Sequence, residues 1–102
     1  MSESIMKQVN VAVQVLPSSR SADPYSIVDE AIAIIHNSGI PYRITPFETV
    51  MEGEYDRLME IVKQVQLACY KAGADSIMCY VKIQSNMSAD VTISDKMGKY
   101  DL

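Results

Sequence analysis

Between Tyr42 and Asp56 the chain reads YRITPFETVMEGEYD, with Phe47, Glu48 and Thr49 in succession after Pro46. A carboxylate accepts hydrogen bonds from an amino group or a ring N–H, and a hydroxyl donates or accepts. An aromatic ring stacks on a flat heterocycle or a cation. The three together suit a planar, amine-bearing, positively charged molecule. The plainer reading of the same residues is a solvated turn at Glu48 and a core anchor at Phe47.

Whatever the hairpin presents, flanking elements must hold it. From Gln8 to Leu16, Val9, Val11, Val13 and Val15 alternate with Asn10, Ala12, Gln14 and Leu16, the period of a strand with one face in a core. Pro17 is expected to end it, and Ser18-Ser19-Arg20-Ser21-Ala22 to form a loop. Asp23-Pro24 reads as a helix N-cap and first residue. Tyr25, Val28, Ile32 and Ile35 then form one apolar stripe as far as Gly39, predicting a helix over about 24–38. Tyr42–Thr45 and Thr49–Glu52 are short strands around a Pro46-Phe47-Glu48 turn, Gly53 opens the next turn, and Glu52 beside it is expected to cap a second helix. That helix carries Tyr55, Leu58, Val62, Val65, Cys69 and Ala72 on one stripe and stops at Gly73. A last strand, SIMCYVKIQ, places Ile77, Cys79, Val81 and Ile83 on one face, and Ser94–Tyr100 is expected to make a short helical turn.

Strand, helix, strand, strand, helix, strand, with right-handed crossovers, is an α+β ferredoxin-like βαββαβ sandwich. It has a four-stranded antiparallel sheet in the order 4-1-3-2 and two helices on one face. The chain of 102 residues reads as a single domain over 1–102, with a core of about 8–84 and a C-terminal extension over 85–102. The face away from the helices carries Ala12, Gln14, Leu16, Met78 and Tyr80, more apolar than a solvated sheet face usually is. This predicts a homodimer or homotetramer joined through that open face.

The remaining chemistry is sparse. The loop from Pro17 to Ser21 leads to a helix N-terminus and contains Arg20, an arrangement that can hold an anion, but it lacks the glycines of a phosphate cradle. An acylphosphatase-like hydrolase would need that arginine in a tight cradle and an asparagine to orient water, and residues 40–55 contain none. His36 has no nucleophile placed beside it, so no covalent machinery is visible and the chain does not read as an enzyme. One histidine and the two cysteines, Cys69 and Cys79, make a poor metal set, and the cysteines read as small buried apolar residues.

Nine basic residues against thirteen acidic ones give a net charge of −4. Dispersed as they are, they argue against nucleic-acid binding. No apolar run reaches the roughly 18 residues of a membrane span. The start, MSESIMKQ, lacks the pattern of a secretory leader, and a cytoplasmic location is expected.

The stretch Tyr42–Tyr55, with Pro46, Thr49 and Glu52-Gly53-Glu54, resembles the small thiamine-binding protein family. So do VNVAVQVLP, DPYSIVDEAIAIIHNSG and DVTISDKMGKY, an ordered set running over about residues 8–100. The resemblance implies a ferredoxin-like fold, binding of thiamine or its hydroxymethylpyrimidine half without catalysis or further cofactor, and assembly as dimers or tetramers. Carried onto this chain, it implies that Thr45, Phe47, Glu48 and Thr49 line the site and that Gln14 reaches it from the neighbouring strand. Ser18 would close it. Glu48 would accept from the aminopyrimidine, and Thr49 would fix its register.

Overall fold

A computed structural model describes residues 7–101. The run MSESIM, on which the argument against a leader largely rests, lies outside them, as does Leu102. The order is β1 (Gln8–Ser18), α1 (Pro24–Asn37), β2 (Tyr42–Ile44), β3 (Thr49–Glu54), α2 (Tyr55–Lys71) and β4 (Ser76–Gln84). A short α3 (Ile93–Met97) and a 3-10 turn (Gly98–Tyr100) follow. All pairings are antiparallel and the sheet runs β2-β3-β1-β4, the ferredoxin-like order expected from the element sequence.

The core lies between the sheet and α1 and α2. Val9, Val11 and Val13 of β1 and Met51 of β3 meet Ile27, Ala31 and Ile35 of α1 and Leu58, Val62, Val65 and Cys69 of α2. Both helices stop where glycine takes a left-handed backbone that other residues resist, Gly39 at φ +79° and Gly73 at φ +109°. After α2, Gly73 N–H donates to the Tyr70 carbonyl and Ala74 N–H to the Cys69 carbonyl, so the helix end is closed by two reversed bonds.

Three local expectations are corrected. Pro17 does not end β1, which continues to Ser18 with Pro17 opposite Ile77. Pairing with β3 has already stopped at Val13, so proline sits where β1 has a neighbour on one side only and its missing N–H is tolerated. Gly53 opens no turn; it is buried inside β3 opposite Val9. A Cβ there would come within 3.3 Å of the Leu58 side chain. Glu52 does not cap α2, whose N-cap is Glu54 without a side-chain bond. Its carboxylate instead accepts the Ile93 N–H at 2.6 Å.

That last bond belongs to a strap across the open face. Residues 90–101 cross the sheet at the end away from the hairpin, tied by Asp90 to Gln8 N–H, by the Val91 carbonyl to the Asn10 amide, by Ile93 to Glu52, and by an Asp101–Arg43 ion pair. Asn10 is thereby 3% exposed. The open face is therefore only half bare. Leu16, Met78 and Tyr80 remain exposed on it, all towards the hairpin end.

Candidate functional site

β3 starts at Thr49, opposite Val13, and β1 runs five residues further. This mismatch leaves a notch in the sheet beside the hairpin, roofed by α1. A cleft of about 250 Å³ fills it, open on one side to solvent, near the small end of the roughly 300–1,000 Å³ typical of ligand sites. Its walls come from Val13 to Leu16 of β1, the α1 row Tyr25, Val28, Ala31, Ile32 and Ile35, the hairpin residues Ile44 to Thr49, and Val65 of α2.

Five of the six expected site residues line this cleft: Gln14, Thr45, Phe47, Glu48 and Thr49. Ser18 does not. Because β1 passes straight through Pro17, Ser18 is carried on to pair with Ser76, its carbonyl accepting the Asp75 N–H at 2.8 Å.

The roles of the five differ. The Thr45 hydroxyl donates to the Glu48 carbonyl at 2.6 Å and accepts from the Phe47 and Glu48 N–H groups at 3.3 and 3.1 Å. A hydroxyl has one donor and two lone pairs, so nothing remains for a ligand. Thr45 shapes the turn that aims its neighbours. Thr49 is buried on the helix side of β3. Phe47, at 79% exposed, is no core anchor; its ring stands at the cleft mouth.

Glu48 is the only charged residue among those lining the cleft, and its carboxylate meets Lys82 Nζ at 2.8 Å. A second hollow on the open face, bounded by Tyr80 and Lys82, shares Gln14, Phe47 and Glu48 with the first. The hairpin tip thus presents its carboxylate between the two.

Sequence reasoning missed the opposite wall. Tyr25, Val28 and Ile32 read as the core stripe of α1, but the buried residues are Ile27, Ala31 and Ile35. The helix carries two adjacent apolar rows, and the Tyr25 row looks into the notch. Tyr25 is 81% exposed. The signal was the unusual breadth of the apolar arc, wider than one core-facing stripe needs.

Other candidates are accounted for structurally. Ser19 Oγ donates to the Gly73 carbonyl at 2.7 Å and accepts from Ala22 N–H at 2.9 Å, while Arg20 N–H donates to Asp75 at 2.8 Å. An acid already occupies the place an anion would take. His36 Nδ1 is 2.6 Å from the Tyr42 hydroxyl. Both cysteines are free thiols. Burial pushes both above the ordinary value, and the nearby Cys79 raises Cys69 further. No helix among the described residues is long and apolar enough to cross a membrane.

The chain is similar to known proteins along most of its length. It is 40% identical over 95 residues to a UPF0045 protein of Clostridium perfringens, covering 93% of this chain and 99% of that one. A Bacillus cereus structure described as a domain of unknown function, DUF77, superposes with a TM-score of 0.90 at 39% identity, covering 97% of this chain and 95% of that one. A Thermotoga maritima crystal structure described as a putative thiamine biosynthesis/salvage protein gives 0.82 at 27% identity, covering 91% and 98%. The family of thiamine-binding proteins matches residues 11–101. With a match that runs from β1 to the end of the strap, the chain belongs to the thiamine-binding protein family.

Proposed function

We propose that this protein binds thiamine, or its hydroxymethylpyrimidine half, in the cleft between the 45–49 turn and α1, for sequestration or delivery and without chemical turnover. One observation carries the reading: a chain of this family has an otherwise uncharged cleft lined by a single carboxylate, Glu48, and two exposed aromatic rings, Tyr25 and Phe47. A flat cation gains from stacking and from the carboxylate, and its apolar edge gains from the wall formed by Val28 and Ile32. The description of the Thermotoga maritima relative supports the same ligand class.

The exposed Leu16, Met78 and Tyr80 support assembly of the protein as a homodimer or homotetramer through the bare half of the sheet. A second reading, a regulatory module that assembles and senses another metabolite, draws on the Lys82 ion pair, which already satisfies Glu48 within the chain. A native mass spectrum of the purified protein separates the two. A mass increment equal to thiamine or its pyrimidine on a dimer or tetramer supports binding. A different increment favours the second reading, and a bare monomer that takes up neither compound when they are added rejects the first.

A further inference from the structure

The ladder between β1 and β3 stops at the pair Val13–Thr49, while β1 continues against β4. Along an antiparallel strand, successive residues aim their N–H and C=O to alternate sides. Glu52 N–H goes to Pro41, on the β2 side of β3. Thr49, Met51 and Gly53 therefore face β1, and their partners Val13, Val11 and Val9 face β3. The Ser18 carbonyl, of the other parity, takes the Asp75 N–H beside β4, which agrees. Val15 is the next residue with Val13's parity. Its N–H and C=O both point into the notch that β3 leaves empty, and among the described residues neither has a partner across it.

We infer that the Val15 peptide edge is the element of the site that recognises the amino group of the ligand. This rests on the functional reading above and specifies its chemistry. A 4-aminopyrimidine carries an amine donor and a ring-nitrogen acceptor side by side, the complement of one residue's C=O and N–H. Seated in the notch, it continues the ladder for one more pair. Val15 is partly buried and lines the cleft, so its two polar groups gain from a partner that excludes water. A peptide strand fits this edge poorly. Strand addition uses a row of main-chain bonds, and the next residue of the same parity is Pro17, which has no N–H. The free edge is one residue long, the size of an amidine edge.

The test pairs calorimetry with amide exchange of 15N-labelled protein. Oxythiamine, in which an oxo group replaces the amine, presents donor and acceptor in the opposite order. In the free protein the Val15 amide should exchange at least tenfold faster than that of Val13. Saturating thiamine should slow it tenfold or more, and oxythiamine should bind at least tenfold more weakly. Val15→Pro removes the unpaired N–H together with the Val15 packing against the core, and Val15→Ala removes the packing alone. With both shown folded by circular dichroism, Val15→Pro should bind thiamine at least tenfold more weakly than Val15→Ala. Equal affinity for thiamine and oxythiamine, or an unchanged Val15 exchange rate in the thiamine complex, overturns the inference and leaves the functional reading standing. Failure of the wild-type protein to bind thiamine or hydroxymethylpyrimidine overturns both.

Discussion

Glu48 on the hairpin and Lys82 on β4 form an ion pair at 2.8 Å across the line of β1, with Ala12 and Gln14 in the strand between them. The pair joins the tip of the 45–48 turn to the far edge of the sheet and sets the charge a ligand meets. Lys82 is largely in solvent, so the pair contributes little to folding, about 0–1 kcal/mol. It competes directly with any cation for the Glu48 carboxylate. Lys82→Met should leave the urea midpoint nearly unchanged and tighten thiamine binding roughly two- to fivefold, the equivalent of such a pair. Glu48→Gln should weaken it. Calorimetry on both variants checks this, and a Lys82→Met protein that binds more weakly contradicts it.

Tyr25 on α1 and Phe47 on the hairpin both line the cleft with most of their surface in water. Truncating an exposed side chain changes stability by only about 0.5 kcal/mol either way, whereas loss of a stacking partner for a cation costs about 0.5–2 kcal/mol of binding. Tyr25→Ala and Phe47→Ala should each keep the melting temperature and lose about two- to thirtyfold in affinity. A drop in stability with affinity preserved would place these rings in packing.

Thr45 acts through its neighbours. Thr45→Val removes three hydrogen bonds at the turn, costing about 1–2 kcal/mol. It should also weaken binding because Phe47 and Glu48 lose their aim. Thr45→Ser keeps the hydroxyl and should restore both. If Thr45→Val binds as well as wild type in calorimetry, the turn is set by Pro46 alone.

The buried Cys69 thiol and the half-buried Cys79 thiol give a pH dependence of known sign. Their values are raised in the folded protein above the ordinary 9.0. Below that value both states hold the protons and pH has no effect through them. Above it the unfolded chain ionises first, the folded state binds more protons, and stability falls as pH rises through the folded values. Urea midpoints should therefore decline more steeply above pH 9 for wild type than for a Cys69→Ala/Cys79→Ala double variant. Parallel declines would assign the loss to other groups.

Much of this architecture was legible in local patterns. The alternation in SIMCYVKIQ located β4 from Ser76 to Gln84, and the α2 stripe from Leu58 to Cys69 proved to be core. The turn residues Thr45 to Thr49 read correctly as neighbours because a short hairpin keeps them together. What escaped depends on partners distant in sequence. Glu52 looked like a local cap, yet the N–H it accepts is on Ile93, 41 residues away. Pro17 looked like a strand end because a one-dimensional reading cannot say which side of β1 lacks a neighbour. A 3-4-3 spacing fits either of two adjacent apolar rows, so the sequence alone reads the Tyr25 row of α1 as core. Only the early end of the β1–β3 ladder decides that one of them faces a cleft.

Titration calorimetry of the full chain with thiamine, repeated on Phe47→Ala and Glu48→Gln, tests the cleft as the binding site most directly. The expected result is saturable binding by wild type at one thiamine per chain, weakened about two- to thirtyfold by Phe47→Ala and also by Glu48→Gln, with all three proteins equally folded by circular dichroism. No heat with thiamine and no competition by hydroxymethylpyrimidine, or binding untouched by either substitution, would contradict it.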